Sequence, residues 1–392
     1  MSISILTEQN GILTKTTEAM EETNGAQEKE MNTLISYENY INEYTSELPL
    51  NTVTKPYLPG SNFKYKEGDL DNGVVIADEA ENEYVWIEVP ITTKIYVKTG
   101  LDVKDFTKSV YENIESDLYN YTLNYRKNTD FSDVYYEAKD DSKEKNKQDW
   151  FQSEEEYNAL KQKMLKSIYE NGGFWIGRYE AGIEKEDDVR KTTTDFATLI
   201  PVSKQNMYPY NWVTRTQAKK LAEQVEAGNC TSCLMFGIQW DLVLKFIEEK
   251  SVAKTEESNK EVIRTSIIKT FNEESIEIGN YKNYLWNITN QNAKYSENDG
   301  QNYSNGIKKK ERERPIILST GADESFKLIN IYDIAGNMWE WTLERGTDLD
   351  KVCIIRGGSY YNSSYIFPTS YRYAYNTSSS YYNVGFRISI VK

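Results

Sequence analysis

Hydrophobic positions recur along this chain in three regimes. Over residues 1–48, Ile12, Leu13, Ala19, Met20, Ala26, Met31, Leu34, Ile35 and Ile41 return at three-to-four spacing with no proline before Pro49. That period predicts an amphipathic helix, a helical stalk ahead of the rest. Pro49, Pro56, Pro59 and Gly60 then interrupt the pattern and predict a linker over 49–73. From 74 to 392 short apolar runs alternate with helical stretches, which reads as one domain. Val74-Val75-Ile76 and Tyr84–Val89 are β-branched and aromatic and predict strands. Residues 102–128 predict a helix. Ser153 with Glu156, and Thr214 with Gln217, form capping boxes that open two more helices, stopped at Gly172-Gly173 and at Gly228. Trp240–Ile247 predicts a further helix, with Leu242, Val243, Phe246 and Ile247 on its core face. Further strands are expected over 174–179, 314–319, 327–332, 352–356 and 385–391. Residues 139–149 are charged and predict a solvated surface, and about 250–310 are Asn- and Lys-rich and predict insertions with short pieces of order. Helices and strands mix without βαβ alternation, so the class is α+β.

Composition narrows the partners. A net charge of −15 disfavours nucleic acid and anionic membrane. No run reaches the length of a membrane span and no signal peptide opens the sequence. The chain has no histidine, which removes Ser-His-Asp and Cys-His catalysis. Its three cysteines are too few for a disulfide framework; Cys230 and Cys233 have CxxC spacing and read either as a local disulfide or as bystanders. Gly172-Gly173 and Gly357-Gly358 lack the spacing of a phosphate loop.

The sharpest change of character lies between Ser359 and Asn383. Eight Tyr, seven Ser, three Asn and two Thr occupy those 25 positions, with Arg372 the only charge. The whole chain has 31 Tyr, so about two would fall there by chance. Tyr supplies stiff contact area with a polar tip, and Ser and Asn supply short hydrogen-bonding groups, the chemistry of an adaptable recognition surface. A solvent-exposed loop in a Tyr-rich protein is the plainer alternative. The ligand-binding residues expected are Tyr360, Tyr361, Asn362, Ser363, Ser364, Tyr365, Tyr371, Tyr373, Tyr375, Asn376, Tyr381, Tyr382 and Asn383.

The run Tyr332-Asp333-Ile334-Ala335-Gly336-Asn337-Met338-Trp339-Glu340-Trp341-Thr342, then Arg356-Gly357-Gly358-Ser359, then Gly385-Phe386-Arg387, resembles the C-terminal signature of the formylglycine-generating enzyme (sulfatase-modifying factor) family. Tyr84–Ile87, Phe174–Glu180, Pro201–Ser203 and Gly237–Asp241 fit the same family in order, so the resemblance covers about 80–392. It implies a variant of the C-type lectin fold. The family's copper-binding cysteine pair would fall near Asn362 and Phe367, and the loop from Tyr360 to Asn383 contains no cysteine. Related sulfoxide synthases hold iron with histidines, which are absent here. The expectation is therefore a non-catalytic scaffold with no required cofactor, displaying its C-terminal loop to a protein or glycan; the alternatives are a divergent enzyme of the same family and a structural surface or phage tail subunit. The resemblance also implies a structural calcium ion held by Gly336, Asn337, Met338 and Glu340, the alternative being that Glu340 pairs with Arg356 or Arg387. Trp339 and Trp341 are expected in the core, and Arg356 and Arg387 are expected to fix the loop ends. Many lectin-fold proteins of this kind are diversified by retroelements that mutate adenines, and Asn, Tyr, Ser and Thr are the residues such a process yields. Ile3–Leu13 and the acidic helix after it resemble the stretch following the anchor of type IV pilin-like proteins. That implies a pilus-like or surface assembly and a cell-surface or extracellular location, with an ordinary N-terminal helix as the alternative.

Overall fold

A computed structural model describes residues 48–126, 131–136, 150–306, 308–348 and 350–392. The chain divides into two units, Met1–Leu48 and Pro49–Lys392. The stalk expected over 1–48 lies outside the described residues, Leu48 excepted, as does most of the charged stretch 139–149.

The second unit is built on eleven strands and five helices that matter for the site. They run β1 Phe63–Glu67, β2 Val75–Asp78, β3 Glu83–Glu88, α1 Lys108–Tyr121, β4 Phe131–Ser132, α2 Glu154–Asn171, β5 Gly173–Gly177 and α3 Arg215–Ala222. They continue β6 Thr231–Leu234, α4 Gly237–Ala253, α5 Lys260–Asn272, β7 Trp339–Gly346, β8 Cys353–Arg356, β9 Tyr373–Tyr375, β10 Val384–Gly385 and β11 Ile388–Val391. The α+β class is as expected. One antiparallel sheet has the order β1-β2-β3-β5-β11-β6. The other has the order β9-β8-β7-β10, with β4 paired to the end of β7 and β10 running parallel to it. The chain passes from one sheet to the other between β10 and β11, at Phe386-Arg387.

Local signals account for most boundaries. The Ser153 hydroxyl accepts from the Glu156 N–H at the start of α2, and Gly172 ends that helix at φ 69°. A left-handed C-terminal residue of this kind favours glycine because a Cβ would be strained there. Thr214 and Gln217 complete a reciprocal capping box on α3. Helix α4 is longer than the predicted Trp240–Ile247 and is buried on every side from Gly237 to Glu248, so it is a central helix with no solvent stripe.

Two expectations are corrected. The 49–73 stretch is no linker: Tyr57 and Phe63 are buried, the Trp175 indole donates to the Tyr57 carbonyl at 2.9 Å, and β1 forms a sheet edge. Alternation in Phe63-Lys64-Tyr65 was concealed by the prolines ahead of it. The 250–310 stretch is likewise folded, since α5 crosses it and Phe271, Tyr281 and Trp286 are buried. Strand β7 carries the Trp339-Glu340-Trp341 motif in a fully buried run, and both indoles are core, as expected.

Candidate functional site

The Tyr-rich segment leaves the end of β8 at Arg356-Gly357-Gly358-Ser359. Gly358 has φ 77°, and a Cβ there would stand 2.6 Å from the Tyr281 ring, so glycine is required at this bend. The segment is not one loop. Its middle returns as β9 against β8, with Cys353 opposite Tyr375 and Ile355 opposite Tyr373. The 376–380 turn closes on Asn376, whose side-chain oxygen accepts from the Ser378 N–H and from the Ser378 and Ser379 hydroxyls.

Side chains from 271–299, the stretch expected to be insertion, hold the segment down. The Ser364 N–H donates to Asn283 Oδ1 at 3.0 Å, and Asn283 Nδ2 donates back to Ser364 Oγ at 3.1 Å. Thr369 donates to Ser275 Oγ through both its N–H and its hydroxyl. Ser370 Oγ donates to Asn272 Oδ1 at 2.6 Å, and Tyr360 Oη to Asp299 Oδ1 at 3.0 Å. Asn362 Oδ1 accepts from the Trp339 indole at 2.8 Å and from Ser359 Oγ at 2.7 Å. Asn383 Nδ2 donates to the same Ser359 oxygen at 3.1 Å.

The expected ligand-binding residues therefore separate into classes. Tyr360, Ser364 and Asn383 are buried, against the expectation of an exposed binding surface, and their side chains bond to the unit itself. Asn362 and Asn376 are half-buried, with side-chain oxygens engaged in the scaffold contacts just described. Tyr361, Tyr365, Tyr371 and Tyr381 are exposed at 44%, 61%, 40% and 38%, and Ile366, which sequence reasoning passed over, at 50%. Ser363, Tyr373, Tyr375 and Tyr382 are half-buried between these classes.

The aromatic rings form contiguous rows. Tyr371 meets Phe367 at 5.2 Å between centroids, Phe367 meets Tyr373 at 5.7 Å, Tyr373 meets Tyr375 at 5.1 Å, and Tyr375 meets Tyr381 at 4.7 Å. A second group joins Tyr361 to Tyr382 at 5.4 Å and Tyr382 to Trp212 at 5.8 Å. Buried Trp339 lies under the first row, 5.6 Å from Phe367 and 6.1 Å from Tyr373. Edge and tilted pairings of this kind fix ring orientation beyond simple burial.

A buried charge network underlies the same segment. Arg372 donates to Asp241 Oδ2 at 2.5 Å, to Glu344 Oε1 at 2.8 Å and to the Tyr125 carbonyl at 2.8 Å. Arg356 donates to Asp241 Oδ1 at 2.7 Å and to Glu344 Oε2 at 3.3 Å, and Arg126 to Asp241 Oδ2 at 3.0 Å. Burial alone would raise the Asp241 carboxyl, but Arg372, Arg356 and Arg126 outweigh it and hold it below the usual carboxylate range. Arg356 thus fixes the start of the segment, as expected, and Arg372 pins its middle. Arg387, past its end, donates to Glu340, to the Gly177 carbonyl and to the Tyr332 carbonyl.

At the Gly336–Glu340 turn, the carboxylate expected to hold a calcium ion is engaged within the protein. Glu340 is fully buried and both its oxygens accept from Arg387; burial raises its carboxyl and Arg387 opposes the rise. The Asn337 side chain donates to Glu180 Oε2 at 2.7 Å and accepts from Asn280 and from the Leu318 N–H. The Met338 N–H donates to Glu180 Oε1 at 2.9 Å, and the Gly336 N–H to the Gly357 carbonyl. Of the two alternatives left open for Glu340, pairing with Arg387 is the one adopted. Cys230, Cys233 and Cys353 are free thiols, and burial pushes Cys230 up to about 11 and Cys233 up to about 12.

Residues 272–391 match the family model of the Sulfatase-modifying factor enzyme 1-like domain. Among solved structures the chain is similar to Treponema denticola variable protein 1, at 14% identity and a TM-score of 0.29 over 56% of this chain and 85% of that one. It is also similar to the crystal structure of CarF, at 11% identity and a TM-score of 0.34 over 56% of this chain and 87% of that one. No curated protein matches it.

Proposed function

We propose that this chain is a non-catalytic ligand-binding protein, and that its recognition surface is the aromatic face of residues 359–383. One observation carries the reading: the exposed tyrosines Tyr361, Tyr365, Tyr371 and Tyr381 ride on a segment whose backbone is hydrogen-bonded down along its length. A binding surface gains from such pre-ordering because little conformational entropy is left to lose on association. The absence of charge at the exposed positions suits a partner read by shape, stacking and hydrogen bonding, either a protein or a glycan. Under this reading the exposed positions are the replaceable ones and the buried polar residues are the fixed frame, which is how a retroelement-diversified protein would divide. A reverse transcriptase beside a near-identical template repeat at the locus, differing at adenines of these codons, tests that part. A cell-surface or extracellular setting, and a stalk role for residues 1–48 in a surface assembly, belong to the same proposal.

The test is to present the chain to arrays of glycans and extracellular proteins beside a variant with Tyr361, Tyr365, Tyr371 and Tyr381 changed to Ser. Binders retained by the parent and lost by a variant with unchanged circular dichroism support the reading. Equal retention by both sinks it. A divergent enzyme is the second reading, favoured by the family-model match over 272–391.

A further inference from the structure

Beside the segment lies a cleft of about 260 Å³, walled by Phe131, Pro368 and Tyr371 and edged by Ser370, Asn272 and Arg372. One charged side chain, Arg372, lines it, and joins a buried charge network behind. Among the described residues three guanidinium groups, Arg126, Arg356 and Arg372, pair with two carboxylates, Asp241 and Glu344, all but solvent-free. Asp133 turns to the Gly237 and Ile238 N–H groups at the start of α4, at 2.7 and 2.9 Å. Burial and the Glu344 charge push its carboxyl up to about 7. Residues 359–383 contain no acid that could answer the surplus.

We propose that this cleft binds a carboxylate carried on an apolar or aromatic stem, as on the acidic side chain of a protein partner. The inference rests on the reading of 359–383 as a ligand-binding segment, four of whose residues line the cleft. Arg372 is the residue that would meet the carboxylate. A guanidinium has five N–H donors, and its bonds to Glu344, Tyr125 and Asp241 leave one on each Nη for a further acceptor. The walls select the stem. Phe131 lies 5.8 Å from the Arg372 guanidinium, and Tyr371 and Pro368 offer apolar faces that would strip water from a doubly charged phosphate without replacing it.

Titration of the full chain with benzoate and with benzamide, followed by NMR at fixed ionic strength, tests the proposal. Benzoate should bind saturably and roughly tenfold or more tighter than benzamide, the fold-change expected when a charged acceptor replaces a neutral one on a guanidinium. Ser370→Glu places a carboxylate in the cleft wall, so it should abolish benzoate binding and raise the melting temperature, while Ser370→Gln should not raise it. Equal binding of the two probes, binding of neither, or stabilisation by Gln equal to that by Glu overturns the proposal. If benzoate fails while the surface tyrosine variant still loses its partner, the cleft is removed and the ligand-binding reading stands. If both fail, both are removed.

Discussion

Arg387 donates to Glu340 from Nη2 at 2.7 Å and from Nε at 3.1 Å, with both side chains withdrawn from solvent. The pair does more than neutralise two charges. Glu340 belongs to one sheet, while Arg387 sits where the chain crosses to the other and also donates to the carbonyl of Gly177 at the end of β5. Removing one partner strands the other in a low-dielectric interior. Arg387→Met should therefore destabilise the unit by about 3–5 kcal/mol, read by chemical denaturation. A loss below about 1 kcal/mol would mean that water reaches Glu340.

The same bond bears on calcium. With both Glu340 oxygens held by Arg387, added calcium has no free carboxylate in the turn. The melting temperature should be the same in EDTA and in millimolar calcium. A rise with calcium that Glu340→Gln abolishes would show that the ion displaces Arg387, as the family resemblance implied.

Asp133 and Lys310 together should contribute a stability minimum near neutral pH. Burial pushes Asp133 up to about 7, so between its ordinary range and pH 7 the folded state holds a proton that the unfolded state has released. Stability from this group falls as pH rises across that window. Burial lowers Lys310 to about 7, so above neutrality the unfolded state binds the extra proton and stability recovers toward the ordinary lysine range. Lys310→Met should flatten the alkaline limb, and Asp133→Asn the acid limb, of denaturation free energy against pH. Limbs unchanged by these substitutions would assign the titration to other groups.

Legibility in the sequence followed range. Caps and periodic runs are local, so α2, α3, β3 and β8 were readable, as was the lectin-type motif around Trp339. Arg372 stood out as the only charge among 25 residues, yet its partner Asp241 lies 131 positions away and Tyr125 lies 247 away. No spacing rule connects them. The anchors Ser275, Asn272 and Asn283 were hidden because a polar residue that bonds a neighbouring loop has the same composition as one that faces water. For the same reason Tyr360 and Tyr361, adjacent in sequence, could not be told apart until their opposite exposure was seen.

Residues 49–73 should prove part of the fold. A fragment starting at Pro49 should fold and melt cooperatively, whereas one starting at Val74 loses β1 and the buried Tyr57 and Phe63. The lost aromatic burial alone is worth about 3 kcal/mol or more per ring. The shorter fragment should expose hydrophobic surface or fail to fold, as read by dye binding and circular dichroism. Equal stability of the two fragments would restore the linker reading.

The last prediction separates the recognition face from its frame. Tyr361, Tyr365, Tyr371 and Tyr381 present much of their rings to solvent, so replacing each by Ser should change stability by about 0.5 kcal/mol or less. Tyr360 is their counterpart inside. It is 1% exposed, its hydroxyl donates to Asp299, and it packs against Ile317 and Met338. Tyr360→Ser should cost about 3–5 kcal/mol, because it opens a cavity and leaves Asp299 without its donor. Ser364→Ala should cost about 1–3 kcal/mol through the loss of its bond with the buried Asn283 amide. Urea denaturation of this series, run beside ligand capture, gives each residue two coordinates. Exposed tyrosines should lose capture and keep stability, and Tyr360 and Ser364 should lose stability first. Exposed tyrosines that cost as much as Tyr360 would make the aromatic rows core packing, and the binding face would then have to be sought elsewhere on the unit.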